Sequence, residues 1–501
     1  MEKRRILINS IMSILQIVVV SAILFFLYKF LLGTIGAEKF GIWSLVLAAT
    51  AVTQIADLGL SGGVVKFVAK YIARQENEKV SRVIQTAVLT IGVSVGLVLI
   101  LAYPFIKWLL SLIMPPESLP FGVAILPFAF LALWLCVLTS IFQSGLDGYQ
   151  RFDIRSSLLM SGSFFHLLLC FWLVPKYGLM GLAYAKVIQN VSVLLASWLF
   201  LKKILPSLPV IPFKWNKSLF KEMIVYCLNF QAISVAYMLY DPITKALLSK
   251  FGSLSMVGYY QMACKMIQKL HALIIAANQV LVPAIAGLKE KTPEKIQHVY
   301  LTSYRLLFYL AFPLYLLVII CLPLISKIWI GHYENTFVLF ASLLAIGWML
   351  ATLSSPAYHA NLGIGKLRWN VVGTLAAAIL NVGFGILLGI LFQGPGVVIA
   401  WMASLALGSS IIYLSYHIHY KIPLAELIPK ESRINLAANI LGILSVLAAR
   451  RVLSSAANNP ILNIIAILLF IAIIFFPYWK HSMRKSIVGW ILKDLLKGHQ
   501  K

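Results

Sequence analysis

Two lysines stand one helical turn apart within a long apolar stretch, YYQMACKMIQKLHAL (Tyr259–Leu273). Lys265 and Lys269 would share one face of a helix, because residues four apart are neighbours there. A lysine at the centre of a bilayer costs about 2.5–3.5 kcal/mol on insertion scales. Lysine is also a flexible point charge that suits phosphate. We therefore predict that both lysines bind an anionic substrate, because an arriving dianion would relieve their mutual repulsion.

A second group of charges falls in the preceding apolar segment. Asp241 and Lys245 are four residues apart and can pair, and Pro242 between them removes a backbone donor, so a kink is expected. Three further charged residues complete the candidate set: Lys29, Asp57 and Lys186. The lysines are predicted to bind substrate together with the acid–lysine pair, and Asp57 is a candidate for ion coupling.

Each candidate also has a structural alternative. The two lysines of the opening stretch would be interfacial anchors if their helix began only near His271, with the ammonium groups reaching towards water. Lys29 would lie at the membrane interface, and Asp57 would pair with Lys66 or end a helix. The acid–lysine pair would be a structural ion pair. For Lys186 both interpretations stay open.

The composition shows what kind of element must hold these charges. The 501-residue chain is 61% hydrophobic and 12% charged, against about 25% charged in soluble chains, and its mean hydropathy is +0.91. Its apolar runs are long enough to cross a ~30 Å hydrocarbon core. The first run, Ile6–Leu32, follows a basic start but is too long for a signal peptide, so we interpret it as a retained helix. The five cysteines have no paired spacing and are predicted to be packing residues.

The fold class predicted is an all-α integral membrane protein of about fourteen transmembrane helices. Cytoplasmic loops concentrate Lys and Arg, and this rule predicts that both termini and the 66–82 linker are cytoplasmic, with 114–120 and 393–396 outside. Arg450-Arg451 is the one clear exception. The expected spans are 8–32, 40–65, 83–113, 120–144, 155–174, 178–201, 220–249, 257–286, 300–325, 336–360, 369–392, 396–418, 434–455 and 460–478.

An internal repeat divides these spans. LDGYQRFD (Leu146–Asp153) is echoed by GIGKLRWN (Gly363–Asn370), which matches Gly148 with Gly365 and Arg151 with Arg368 at an offset of 217 positions. The same offset relates two further pairs: Gly41-Ile42-Trp43 with Gly258-Tyr259-Tyr260, and Ala183-Tyr184 with Ala400-Trp401.

The repeat predicts two six-helix lobes, 1–210 and 211–420, followed by two extra helices and a basic cytoplasmic tail in 421–501. Because six is even, the lobes would enter the membrane in the same direction, as in transporters built from parallel repeats. The lysines of the opening stretch would then face a central, water-accessible cavity between the lobes, with Lys245 nearby and Asp241 holding it.

Three short patterns carry a family resemblance. They are G-x3-F-G-x-W from Gly36 to Trp43, D-L-G-L from Asp57 to Leu60, and the Gly-to-Arg-Phe turn GYQRF from Gly148 to Phe152. With the helix count and repeat layout, the chain resembles Wzx-type O-antigen and polysaccharide repeat-unit flippases. These belong to the polysaccharide transporter family of the multidrug/oligosaccharidyl-lipid/polysaccharide exporter superfamily.

The resemblance implies that an undecaprenyl-pyrophosphate-linked oligosaccharide crosses the cell inner membrane by alternating access, in lipopolysaccharide or related polysaccharide biosynthesis. It implies a polysaccharide polymerase and a chain-length regulator as candidate partners. The basic residues alternate by loop, which argues against nucleic acid as a partner, and no enzyme activity or cofactor is expected. The drug-exporter branch often carries an acidic residue in helix 1, whereas helix 1 here has Lys29 and no carboxylate. This difference favours an anionic substrate.

Two alternatives are weighed against this function. A cation-coupled drug exporter would need a cavity dominated by carboxylates, which the lysines disfavour. A membrane-embedded glycosyltransferase, ligase or polymerase would need a large extramembrane loop with catalytic groups, and the linkers here are short and basic. The chain has no GxxxxGK[ST], HExxH or GxSxG motif, and His417-Ile418-His419 is expected to be an interfacial polar pair without a third metal ligand.

Overall fold

The protein is all-helical throughout the part of the chain that its computed structural model describes, which confirms the predicted fold class. The described residues are 2–51, 60–276, 281, 285, 288–289, 292–428, 432–452 and 459–484. The helices are α1 (Glu2–Ala51), α2 (Leu60–Ala73), α3 (Asn77–Ile113), α4 (Leu119–Gly148), α5 (Phe152–Ile204), α6 (Lys217–Phe251), α7 (Leu254–Ala276), α8 (Lys295–Ile330), α9 (Asn335–Thr352), α10 (Ser355–Ile364), α11 (Arg368–His419), a 3₁₀ turn (Leu424–Leu427), α12 (Arg433–Val452) and α13 (Pro460–Lys480).

Three of these helices are long enough for two membrane crossings each. Helices α1, α5 and α11 contain 50, 53 and 52 residues, whereas about 20 residues span a bilayer. Each has one residue with non-helical dihedral angles at a corner, namely Gly36, Gly178 and Gln393. Within the described ranges, eight helices are long and apolar enough to cross a membrane. The chain is therefore a multi-pass membrane protein.

Helix α3 illustrates how the sequence prepares a lipid-facing surface. Val93, Leu97, Ile100 and Leu101 are exposed and recur at helical spacing along one side. The opposite side of the same helix is buried, as the residue Ile91 shows. An exposed apolar stripe of this length would be unfavourable in water, but it matches a hydrocarbon environment.

By their packing, the residues form two compact units, 1–261 and 262–501. In the first unit, α6 packs against α1, α2 and α3, and Lys70 on α2 pairs with Glu222 on α6 at 2.7 Å. In the second unit, α9 packs on α11, and α13 packs on both α12 and α8. The first unit therefore extends beyond residue 210, because α6 packs on its helices. The boundaries of the two repeated lobes, at 210 and 420, stay a prediction. The tail beyond residue 484 lies outside the described residues.

The linker before α6 is held by polar residues at the start of α3. The Gln85 side-chain oxygen accepts hydrogen bonds from the backbone amides of Phe213 and Lys214, at 3.3 and 3.2 Å. The Thr86 hydroxyl accepts one from the Asn216 amide at 3.2 Å. Gln85 is buried, and it satisfies linker amides that would otherwise lack partners. This short linker is therefore a fixed part of the first unit.

The start of the repeat is visible as a reciprocal contact between α1 and the first turns of α7. A Cβ on Gly41 would collide with the Leu254 carbonyl, and a Cβ on Gly258 would collide with the Ala37 carbonyl. Residues 37 and 254, like 41 and 258, are related by the repeat offset of 217 positions. Each copy of the motif thus makes the same contact with the other, which supports the predicted match of Gly41 with Gly258.

The repeat has a different register farther along the chain. After α4, Gln150 has φ 57°, and the Arg151 amide bonds to the Leu146 carbonyl at 2.9 Å. After α10, Gly365 has φ 82°, and the Lys366 amide bonds to the Asn361 carbonyl at 2.9 Å. These identical turns are 215 positions apart.

The predicted matches of Gly148 with Gly365 and Arg151 with Arg368 are therefore wrong by two residues. The hydrogen bonds of the turn, and not its residue types, define the equivalence, so Gln150 corresponds to Gly365. The corners of α5 and α11 have the same offset: Gly181 approaches the Leu173 carbonyl as Gly396 approaches the Leu388 carbonyl. The match of Ala183-Tyr184 with Ala400-Trp401 is consequently also shifted by two positions.

The corners of α5 and α11 allow a matched test of backbone strain. Gly178 has φ 55° and ψ −129°, and Gln393 has φ 55° and ψ −141°, a region that only glycine adopts without strain. Gln393→Gly should raise the free energy of unfolding by about 1 kcal/mol, whereas Gly178→Gln should lower it by about 1–3 kcal/mol. Thermal unfolding of the detergent-solubilised protein would measure both. Equal effects of the two substitutions would contradict this assignment.

The paired histidines at the end of α11 differ from expectation. His417 is buried, and its Nε2 lies 2.8 Å from the Tyr300 hydroxyl. His419 is exposed, with Nε2 3.3 Å from the Lys366 ammonium nitrogen. The two histidines therefore do not share one environment: His417 is a core residue in contact with Tyr300, and their depth in the membrane stays a prediction.

Candidate functional site

A cavity of about 180 Å³ lies in the first unit, between the two halves of α1, α5 and the start of α7. Its apolar wall consists of leucines, Ile23, Phe40 and Trp43. Polar side chains are concentrated among the remaining lining residues, which are Tyr28, Ser44, Ser163, His166, Lys186, Gln189 and Gln261. The lining residues that the structure describes include no carboxylate.

Lys186 is the lysine of this cavity. Its ammonium nitrogen donates to the Gln189 side-chain oxygen at 2.9 Å. Protein atoms surround the side chain, yet it keeps some accessible surface, as expected of a residue that lines a cavity. Among the described residues, no carboxylate lies within 4.0 Å of this nitrogen, whereas Lys245 on α6 has Asp241 as a partner. A positive charge in such surroundings favours an anion as its neighbour.

The predicted pairing of Asp241 with Lys245 is confirmed. The Lys245 ammonium nitrogen is 2.7 Å from the Asp241 carboxylate, and the two side chains are 5% and 33% exposed. Both residues lie on α6, which continues through Pro242 to Phe251. The lysine is thus buried and neutralised, whereas the carboxylate keeps access to its surroundings.

The unequal exposure of this pair predicts unequal effects of its two single substitutions. Asp241→Asn would leave a buried, unpaired ammonium group and should destabilise the protein by about 3 kcal/mol. Lys245→Gln should cost less, because the remaining carboxylate is partly exposed and can be hydrated. The double variant should recover most of the loss. Unfolding temperatures in detergent would test this order, and a larger effect of Lys245→Gln would contradict it.

Lys265 and Lys269 lie well inside α7, which begins at Leu254. The alternative in which their helix starts near His271 is therefore wrong. Both side chains are half-buried, and the Lys265 ammonium nitrogen donates to the Gln268 side-chain oxygen at 3.4 Å. Among the residues that the structure describes, neither lysine has a carboxylate within ion-pair distance. The helix thus presents two adjacent, half-buried cations.

His271 follows these lysines and belongs to the core of the second unit. Its Nδ1 lies 3.0 Å from the Tyr315 hydroxyl and 3.2 Å from the Thr352 hydroxyl. Its ring stacks on Trp348, with the ring centroids 4.0 Å apart. These contacts fix the rotation of α7 about its axis within the second unit. The direction in which the lysine-bearing face points is therefore set by packing.

The other candidates lie in different places. Lys29 is exposed on α1 and is not a lining residue of the cavity, although its neighbour Tyr28 is. Asp57 lies outside the described residues. Lys245 belongs to the first unit, and Lys265 and Lys269 belong to the second. The roles of these residues in substrate binding stay predictions.

Sequence reasoning missed the polar partners of Lys186. Gln189 follows it by three residues, so helical spacing already places the two side chains on one face. Gln261 also lines the cavity, but its position in the sequence gave no signal that relates it to Lys186. Ser44 and His166 carried no such signal either, because the packing of α1 on α5 brings Ser44 into the cavity and the corner of α5 at Gly178 brings His166 there.

Sequence comparison places more than half of the chain in one family. Residues 34–335 match the family described as "Polysaccharide biosynthesis protein". No curated protein matches the chain in sequence.

Comparison with solved structures shows the fold. A multidrug resistance MATE family transporter of the MOP superfamily, inward-facing, superposes with a TM-score of 0.70 at 16% identity, covering 83% of this chain and 99% of that one. Lipid II flippase MurJ, in an inward closed conformation, superposes with a TM-score of 0.69 at 14% identity, covering 98% of this chain and 100% of that one. A MOP superfamily transporter from Pyrococcus furiosus, described by the reverse polarity of its binding pocket, superposes with a TM-score of 0.57 at 14% identity, covering 84% of this chain and 96% of that one.

Proposed function

Because this chain belongs to the polysaccharide biosynthesis protein family, with the fold of a flippase and of exporters, we propose that it flips an undecaprenyl-pyrophosphate-linked oligosaccharide repeat unit across the cytoplasmic membrane. Transport would proceed by alternating access. The lipid tail would stay in the bilayer while the pyrophosphate and the sugars pass through a hydrated path.

One observation carries the proposal more than any other, namely the two half-buried lysines on α7. Lys265 and Lys269 repel each other when no ligand is bound, because they are one turn apart on one helix. A pyrophosphate carries about two negative charges, and its transfer without water into hydrocarbon is prohibitive. Two fixed ammonium groups would replace part of its lost hydration. We propose that they bind the pyrophosphate group.

The cation-coupled drug exporter is not favoured, although an exporter shares the fold. An organic cation would be attracted by carboxylates, whereas the candidate substrate residues Lys265 and Lys269 are cationic and have no carboxylate within ion-pair distance among the described residues. A fold shared at 16% identity does not transfer a substrate. The charge of the candidate residues therefore favours an anionic cargo.

The finer features of the proposal concern cellular context. We propose a location in the cell inner membrane, a role in O-antigen or lipopolysaccharide biosynthesis, and a polysaccharide polymerase and chain-length regulator as partners. Both termini and the 66–82 linker would be cytoplasmic. Labelling single cysteines from each side of the membrane would test this topology, and a periplasmic 66–82 linker would overturn it.

Reconstitution tests the function itself. The purified protein would be placed in liposomes with a fluorescent undecaprenyl-pyrophosphate oligosaccharide, and a membrane-impermeant quencher would report how much of the probe changes leaflet. We expect faster exchange than in protein-free liposomes and no effect on a fluorescent monophosphate lipid without sugars. An equal rate with and without the protein would contradict the proposal.

A further inference from the structure

The cavity around Lys186 has a property that the transport of a glycan does not explain. A cation lies in it without a carboxylate partner among the described residues, whereas the buried Lys245 of the same unit is paired with Asp241. A buried ammonium group without a counterion loses its proton more readily, whereas a bound anion keeps it charged. Beyond the proposed function, we infer that the Lys186 cavity is a binding site for a small inorganic anion of the size of chloride.

The volume of the cavity limits what it can hold. About 180 Å³ is available, and a water molecule occupies about 30 Å³ in the liquid. The space therefore accommodates a monatomic anion with a few waters. Sites for drug-sized molecules measure about 300–1,000 Å³, so an oligosaccharide does not fit. The inference therefore places Lys186 in a site of its own, apart from the lysines proposed to bind the substrate.

The polar groups of the cavity are suited to such an ion. An ammonium group has three donors, and Gln189 accepts one of them at 2.9 Å. The Ser44 hydroxyl is buried and has no hydrogen-bond partner among the described residues, although it lines the same cavity. Its oxygen has almost no accessible surface, however, so Lys186 is the donor that faces the cavity. The two ammonium donors that Gln189 does not occupy are those that an anion needs when it loses its hydration.

The apolar residues of the wall strengthen the attraction. Leu27, Leu31 and Phe40 line the cavity and exclude bulk water from one side. Coulomb attraction between a cation and an anion increases as the effective dielectric constant falls. The described lining residues hold no carboxylate that would repel the anion. The site therefore selects negative charge and small size.

Thermal unfolding of the full-length protein in detergent tests this inference without any glycan. Sodium gluconate would be replaced stepwise by sodium chloride at constant ionic strength, because gluconate is too large for the cavity. We expect the Tm of the wild-type protein to rise by about 2 °C in a saturable manner. Lys186→Gln should abolish this rise. Lys176→Gln removes an exposed lysine on α5 that lies over Trp172 and should retain the full rise.

A second variant keeps the test decisive if Lys186→Gln fails to fold. Gln189→Glu preserves side-chain size and places a carboxylate where an oxygen already contacts the ammonium group, so it should fold and lose the chloride effect. A chloride response that persists in Gln189→Glu or Lys186→Gln would overturn the inference, as would a wild-type Tm that does not respond. This unfolding assay contains no lipid-linked glycan, so a negative result would overturn the anion site without contradicting the proposed flipping activity, which the liposome assay tests separately.

Discussion

Replacement of both Lys265 and Lys269 by glutamine should lower glycan flipping by about 100-fold or more. Each charged hydrogen bond to a ligand contributes about 1.5–3 kcal/mol, and two such losses multiply in rate or affinity. The fold should persist, because neither ammonium group has a carboxylate partner among the described residues and both side chains are half-buried. Leaflet exchange of the fluorescent substrate in liposomes would measure the loss.

The matched control removes two lysines from another part of the protein. Lys202 and Lys203 lie at the end of α5 against Trp198 and Phe200. Replacing both by glutamine removes the same two positive charges from a place outside the proposed binding site. The flipping rate of this control should stay near that of the wild-type protein. Replacement of the α7 lysines by arginine should preserve more activity than glutamine, because the charge is retained. Full flipping by the double glutamine variant would reduce these lysines to interfacial anchors.

The addition of a single methyl group at Gly41 should lower the thermal stability of the protein, which is the second large effect that we expect. Gly41→Ala places a Cβ against the Leu254 carbonyl, where backbone atoms leave no space. Relief requires α1 and α7 to move apart over several residues, and overpacking of this kind costs about 1–3 kcal/mol. We expect a Tm several degrees below that of the wild-type protein.

Gly33 provides the control for that substitution on the same helix. No atom outside its own neighbours lies within 4 Å of a Cβ at Gly33, so Gly33→Ala should leave Tm unchanged or raise it slightly, because alanine favours the helix. The two variants thus add the same methyl group to one helix, with neighbouring backbone close by only at Gly41. Equal Tm values for Gly41→Ala and Gly33→Ala would show that α1 and α7 do not pack as described.

The helices were predictable because each is defined by local hydrophobicity, and the charged residues were predictable because they interrupt it. The register of the repeat was not. Gln150 and Gly365 share a left-handed conformation but differ in residue type, so a match based on residue types selected Gly148 instead. A turn is defined by its backbone hydrogen bonds, which a single sequence does not display.

The cavity was beyond sequence reasoning for a different reason. Lys186 was recognised as a charge in an apolar segment, but its surroundings come from distant parts of the chain, such as Tyr28, Ser44 and Gln261. Helical periodicity relates residues within one helix and gives no information on which helices meet. The size of the cavity and the lack of a lining carboxylate among the described residues therefore became visible only in three dimensions.

The reciprocal contact at Gly41 and Gly258 also bears on the origin of the chain. In a symmetric dimer, a residue close to the two-fold axis meets its own copy, so one codon specifies both sides of the contact. Here the two sides are encoded separately, 217 positions apart. A duplicated and fused gene could have allowed them to diverge, yet glycine occurs at both. The close approach requires a small residue on each side, so in a chain of duplicated origin two separate codons would have to keep glycine for the same steric reason.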